Sequence, residues 1–84
     1  MKLLYFSAAW CGPCKALAPL LERVAETRAI DKINIDEQFE LAQKFNIRSI
    51  PTTVLVDENE QELERTIGPK PEAFYHELFE KHSN

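Results

Sequence analysis

The stretch Leu3-Leu4-Tyr5-Phe6-Ser7-Ala8-Ala9-Trp10-Cys11-Gly12-Pro13-Cys14 runs from a short apolar segment through a Gly-Pro turn into a new hydrophobic period. Leu3 to Phe6 has the length and apolarity of a buried strand. From Pro13 the pattern is helical, with Leu17, Leu20, Leu21 and Val24 at i, i+3, i+4 and i+7 forming one apolar face. Pro19 falls inside this helix, where it removes one backbone donor and is expected to kink it.

Downstream, Ile30 to Ile35 alternates, with Ile33 and Ile35 on one face, and reads as a second strand. Glu40 to Phe45 is a short helix, and Asn46 follows where a left-handed C-cap would sit. Thr52 to Val56 is β-branched and apolar, as a central strand requires. Asp57 to Glu60 is a polar turn. Gln61 to Ile67 then alternates Leu63, Arg65 and Ile67 with Glu62, Glu64 and Thr66, and acidic residues along one face suit an edge strand. Gly68-Pro69-Lys70-Pro71 breaks the chain. Pro71 suits the first turn of a last helix, whose apolar side is Phe74, Tyr75, Leu78 and Phe79. The expected order is β-α-β-α-β-β-α, an α/β architecture in which both helical crossovers make parallel pairs and the last turn an antiparallel pair.

A length of 84 residues is enough for one domain, expected to span residues 1–84, with one core and a thin stability margin. Hydrophobic residues at 44% and charged residues at 29% are ordinary for a globular protein. The net charge of −4, without any basic run, disfavours nucleic acid and anionic membranes as partners, since both need clustered cations. The apolar runs are strand-sized, not bilayer-sized. Met1 to Ala9 faintly imitates a signal peptide, but its apolar part is short, and cleavage there would remove a strand the fold needs. A cytoplasmic location is expected. The chain has two cysteines, whereas a small secreted domain stapled by disulfides normally carries four or more.

Cys11 and Cys14 fall where a strand gives way to a helix. Helix first turns offer unsatisfied N–H groups and the positive end of the dipole, so a sulfur anion at Cys11 is stabilised and its pKa lowered. The thiolate is the attacking species in disulfide exchange. Cys14, one helical turn on, is placed to attack a mixed disulfide and release the product. Gly12 and Pro13 fix the turn and keep bulky side chains away. Other roles compete. A structural disulfide closing so small a loop is worth only about 2 kcal/mol. A zinc site needs four ligands. The two histidines, His76 and His82, lie on different faces of a distant helix and read as solvated residues. Two unrelated buried cysteines would not need Gly-Pro between them. Redox chemistry is the preferred reading, with no metal.

Taken together, Trp10-Cys11-Gly12-Pro13-Cys14-Lys15, Pro19, Asn34-Ile35-Asp36, Ile47-Arg48-Ser49-Ile50-Pro51-Thr52 and Gly68 resemble the thioredoxin family in order and approximate spacing, over nearly the whole chain. The resemblance implies a thioredoxin-like fold and a protein-disulfide reductase, since Gly-Pro between the cysteines is similar to the reducing members. It implies Cys11 as nucleophile, Cys14 as resolving thiol and a redox-active Cys11–Cys14 disulfide as the only redox group. No bound cofactor is expected. Pro51 matches the family's cis-proline beside the disulfide, which leaves the Ile50 backbone free to pair with an extended substrate. Trp10, Gly12, Pro13, Ser49, Ile50, Ile67 and Gly68 match an apolar rim that receives disulfide-containing partner proteins; otherwise they are core and turn residues. The expected protein is a monomer that draws electrons from a separate thioredoxin reductase or from glutathione.

Two departures stand out. Longer members begin with an extra strand and helix, so the expected sheet here is mixed and four-stranded with three flanking helices, and the Ile30–Ile35 strand becomes an edge. The family's buried acid is replaced by Tyr5, while its lysine partner is matched by Lys32. A lysine buried without a counter-charge is costly, so Lys32 is expected to bend to solvent or to meet the Tyr5 hydroxyl. Tyr5 could equally just fill the core. The Glu58–Glu64 acidic run reads as a solvated edge. Two rival functions remain: a glutaredoxin-like carrier reduced by glutathione, and a binding module that uses the Trp10–Ile50–Gly68 surface without turnover.

Overall fold

The computed structural model describes residues 1–83. Strand β1 (Lys2–Ser7) is followed by α1 (Gly12–Val24), β2 (Ile30–Asn34), α2 (Phe39–Lys44), β3 (Thr52–Val56), β4 (Glu62–Ile67) and α3 (Glu72–Lys81), the element order expected from the periodicities. The strands form one four-stranded sheet ordered β2-β1-β3-β4. β1 pairs in parallel with β2, Leu3 opposite Ile30 and Ser7 opposite Asn34. β3 is antiparallel to both β1 and β4.

The second crossover therefore does not make a parallel pair, which corrects the expectation. A parallel return would carry the chain back along a strand of about 17 Å, and a helix of six residues spans only about 9 Å. The α2 connection instead re-enters the sheet at the end where β2 leaves it, with Thr52 beside Phe6. This reversal matters for function, because it brings the start of β3 to the same sheet end as the cysteines.

Alternation along β1 divides the core. Leu3 and Tyr5 point to the face covered by α1 and α3, where they meet Leu17, Leu21, Val24, Leu55, Tyr75, Leu78 and Phe79. Leu4 and Phe6 point to the other face, with Ile33, Val54, Val56, Ala42 of α2 and Phe45, the C-cap of α2. β3 is buried along its whole length, as a strand inside the sheet and covered on both faces must be. α1 runs unbroken through Pro19. Asn46 adopts φ 55°, which lets the Ile47 N–H return to the Ala42 carbonyl at 3.0 Å, as anticipated for a C-cap. Pro71 is the N-cap of α3 rather than a first-turn residue.

The acidic run is exposed at Glu58, Glu60 and Glu62, as expected of a solvated edge, and only Glu64 is half-buried. Glu58 meets the N-terminal amine and Glu62 meets Arg65. Glu64 accepts from Lys81 Nζ at 3.0 Å and lies 2.9 Å from His82 Nε2, tying β4 to the end of α3. His76 lies 3.7 Å from Glu72, so both histidines are half-buried beside a carboxylate. The hydrogen bonds from His82 and then Lys81 hold the Glu64 carboxyl below its ordinary value of 4.5. A lowered carboxyl pKa stabilises the fold fully above pH 4.5, and this contribution fades as pH falls through the lowered value. Glu64→Gln is expected to cost roughly 0.5–1 kcal/mol at neutral pH, because its partners are partly exposed. In urea melts the gap to the parent protein should narrow as the pH falls below 4.5 and close once Glu64 is protonated in the folded protein too.

Candidate active site

Cys11 and Cys14 are joined by a disulfide at the junction of β1 and α1, with Cα atoms 5.3 Å apart. Cys11 is the N-cap of α1 and extended in backbone, and its sulfur accepts the Cys14 N–H at 3.2 Å. Ala8 steers the chain into this corner by accepting the Cys11 N–H at 3.1 Å. Pro13 occupies the start of the helix, where its missing N–H costs nothing. The first turn carries no acidic side chain, so the positive end of the helix acts on the sulfur unopposed. Both sulfurs sit in the α1/α3-side cluster, and both cysteines are nearly buried.

The residues expected to surround the disulfide come from three places in the chain. Trp10 is 67% exposed, its indole N–H donating to Asp36 Oδ2 at 2.9 Å. Gly12 and Pro13 are exposed, and a Cβ added at Gly12 would meet nothing within 4 Å, so the fold itself does not demand glycine there. Ile50 is half-buried and Pro51 buried, and the Ile50–Pro51 bond is cis. Thr52 pairs with Ile67, and the Gly68 N–H donates to the Pro51 carbonyl at 2.9 Å, which locks the start of β3 to the end of β4. Ile67 is 64% exposed, which decides its reading in favour of a surface rather than core residue. Gly68 has φ 86°, a conformation costly for any residue with a Cβ. Ser49 is exposed. Among the described residues, neither the N–H nor the C=O of Ile50 has a backbone partner.

Tyr5 lies beneath the disulfide, 2% exposed, with its hydroxyl donating to the Cys14 carbonyl at 2.9 Å. Burial pushes its phenol above the usual value, and a weaker hydrogen bond from Ser7 acts the other way. Lys32 is exposed and does not meet the Tyr5 hydroxyl, which corrects one of the two arrangements expected for it. The reason is that Tyr5 finds a fixed backbone acceptor, while the long lysine keeps its charge in water. A cavity of about 460 Å³ is lined by Tyr5, Ser7, Cys14, Glu22, Lys32 and Asn34 among others.

Asp36 and Ser7 were given no role from the sequence. Asn34 Oδ1 accepts the Asp36 N–H at 2.8 Å and forms a tight turn after β2 that aims Asp36 at Trp10. Asn-x-Asp directly after an apolar strand was the available signal for such a turn. Ser7 shares the Tyr5 face of β1 by simple alternation.

The family model described as Thioredoxin matches residues 1–80. A thioredoxin of Chlamydia pneumoniae is 40% identical over 84 residues, covering 96% of this chain and 81% of that protein. One of Bacillus subtilis is 41% identical over 81 residues, covering 92% and 77%. Among solved structures, a mutant thioredoxin from Halobacterium salinarum superposes with a TM-score of 0.90 at 36% identity, covering 99% of this chain and 74% of that one. Reduced Schistosoma mansoni thioredoxin gives a TM-score of 0.86 at 30% identity, covering 95% and 76%. With a disulfide between cysteines three apart at a strand–helix junction, and these likenesses over nearly its whole length, the chain belongs to the thioredoxin family of thiol–disulfide oxidoreductases.

Proposed function

We propose that Cys11 is the nucleophile and Cys14 the resolving thiol of a protein-disulfide reductase. The observation that carries this assignment is the asymmetry of the pair. Cys11 sits at the helix N-cap with an N–H on its sulfur and exposed Trp10, Gly12 and Pro13 on either side. Cys14 lies inside the first turn, above Tyr5. In the reduced protein the Cys11 thiolate attacks one sulfur of a partner disulfide, and the other partner sulfur leaves as thiolate. The Cys14 thiolate then attacks Cys11, releasing the second partner sulfur and closing the Cys11–Cys14 disulfide. Two electrons pass to the partner, and a separate reductant restores the dithiol.

Trp10, Gly12, Pro13, Ile50, Pro51, Ile67 and Gly68 form the proposed partner surface. The exposed Trp10 and Ile67 supply apolar anchors. The unused N–H and C=O of Ile50 suit an extended segment laid along the start of β3. The open space beside Gly12 leaves room for a partner sulfur to approach Cys11. The chain is proposed to act as a single monomeric domain in the cytoplasm, without a bound cofactor, and to be reduced by a thioredoxin reductase rather than by glutathione.

The test is coupled insulin reduction. A thioredoxin reductase with its nicotinamide donor should sustain turnover, and glutathione with glutathione reductase should not. Turnover supported by glutathione alone would favour the glutaredoxin-like reading. Separately, a Cys14→Ser variant should capture disulfide-containing proteins as complexes that dithiothreitol releases, and adding Trp10→Ala should reduce the capture severalfold. Equal capture with Trp10→Ala would remove Trp10 from the surface.

A further inference from the structure

The resolving step needs Cys14 as thiolate, yet Cys14 is only 3% exposed and lies over a phenol. Something must take its proton, and something must hold its turn of helix while Cys11 is tied to a partner. The groups around Cys14 can be named from each packed element. From β1 comes Tyr5; from α1, Lys15 and Glu22; from β2, Lys32; all four line the cavity that reaches Cys14. From α3, Tyr75 shares the same buried cluster, and its oxygen is occupied by the Lys70 N–H at 3.2 Å. Lys15, Glu22 and Lys32 are exposed, so they belong to the solvent side of the cavity wall.

Tyr5 is the only one of these with a direct hydrogen bond to Cys14, and its proton points the wrong way for a base. The phenol donates to the Cys14 carbonyl at 2.9 Å. Burial raises the phenol above its ordinary value, so it stays neutral at physiological pH. A neutral donor cannot accept the thiol proton, but it can pin the carbonyl. That carbonyl lies in the first turn of α1, so the bond couples the central strand β1 to the residue that must strike Cys11. The cavity is far larger than the roughly 30 Å³ that one water occupies.

We infer that Tyr5 is a positioning residue for the resolving step, fixing the first turn of α1 through the Cys14 carbonyl, and that the Cys14 proton leaves directly to water in the cavity rather than to a side-chain base. The Cys14 S–H loses its proton to solvent, the thiolate attacks the Cys11 sulfur of the mixed disulfide, and the partner sulfur departs as thiolate. This inference rests on Cys14 being the resolving thiol, as proposed above.

The experiment is stopped-flow reduction of a nitroaryl disulfide whose released thiolate is coloured. The first release reports attack by Cys11 and the second reports resolution by Cys14. In the parent protein the second phase should follow a single ionisation between about pH 6 and about pH 9. Tyr5→Phe should slow the second phase about fivefold at every pH, the usual size of one lost neutral hydrogen bond, and leave the apparent ionisation in place. Unfolding by urea, run on both forms, reports any general loss of stability. An unchanged second phase in Tyr5→Phe would reduce the phenol to packing and overturn the positioning role. An ionisation that disappears in Tyr5→Phe, Glu22→Gln or Lys32→Gln would identify a side-chain base and overturn the solvent route. Cys14→Ser separates the two levels: a second release that persists in it would sink the resolving assignment itself, whatever Tyr5 does.

Discussion

Cys11→Ser is expected to reduce insulin at the rate of dithiothreitol alone, a loss of about a thousandfold or more relative to the parent protein. The exchange reaction requires a sulfur that is ionised near neutral pH and able to form a bond to another sulfur. A hydroxyl does neither. The helix N-terminus that stabilises a thiolate at this corner cannot rescue it, because a serine hydroxyl stays protonated. Cys14→Ser should lose turnover as completely but for a different reason, stalling with the partner bonded to Cys11. Alkylation of the reduced protein separates the thiols further: the Cys11 midpoint should fall below the usual thiol value of about 8.5, because its sulfur is at the helix N-cap and accepts an N–H, and Cys14, inside the first turn, should react more slowly. Full insulin reduction by Cys11→Ser would show that catalysis does not pass through this sulfur. Activity retained by both variants would support the binding-module reading instead.

Phe6→Ala is expected to be the most damaging single change to the fold. Phe6 is fully buried in β1, an internal strand of the sheet. Its ring lies 5.9 Å from that of Phe45, tilted by 53°, and shares a cluster with Leu4, Ile33, Val54 and Val56. Truncation removes an aromatic ring from beneath α2 and leaves a void that a short helix cannot collapse to fill. Such changes cost about 3–5 kcal/mol. A chain of 84 residues has roughly 4–13 kcal/mol in total, so the loss approaches the lower end of its stability. The midpoint of thermal unfolding should drop by about 15 °C or more. Phe39→Ala is the control: Phe39 is 61% exposed, and its removal should change stability by no more than about 0.5 kcal/mol. A similar small shift for Phe6→Ala would mean that the α2-side core is not where the stability lies.

The alkaline side of the stability curve has its own signature. Burial raises the phenols of Tyr5 and Tyr75. Groups raised on folding favour the native state below their unfolded value of 10.0, and that benefit is lost as the pH climbs through the raised values. Unfolding free energy should therefore fall above about pH 10. Tyr5→Phe should flatten the fall, and an unaltered slope in that variant would place the alkaline loss elsewhere.

What could be read from the residues alone was whatever local chemistry decides. Hydrophobic period set the seven elements in order, Asn46 marked a left-handed cap, and two cysteines three apart at a strand–helix junction specified sulfur chemistry. These depend on neighbours within a turn or two, so spacing suffices. The direction of β3, the free path of Lys32, the bond from Tyr5 to the Cys14 carbonyl and the grip of Asp36 on Trp10 were decided only in three dimensions. Each joins residues from separate elements. Their partners are chosen by where the sheet end gathers the loops, and no local pattern encodes that geometry.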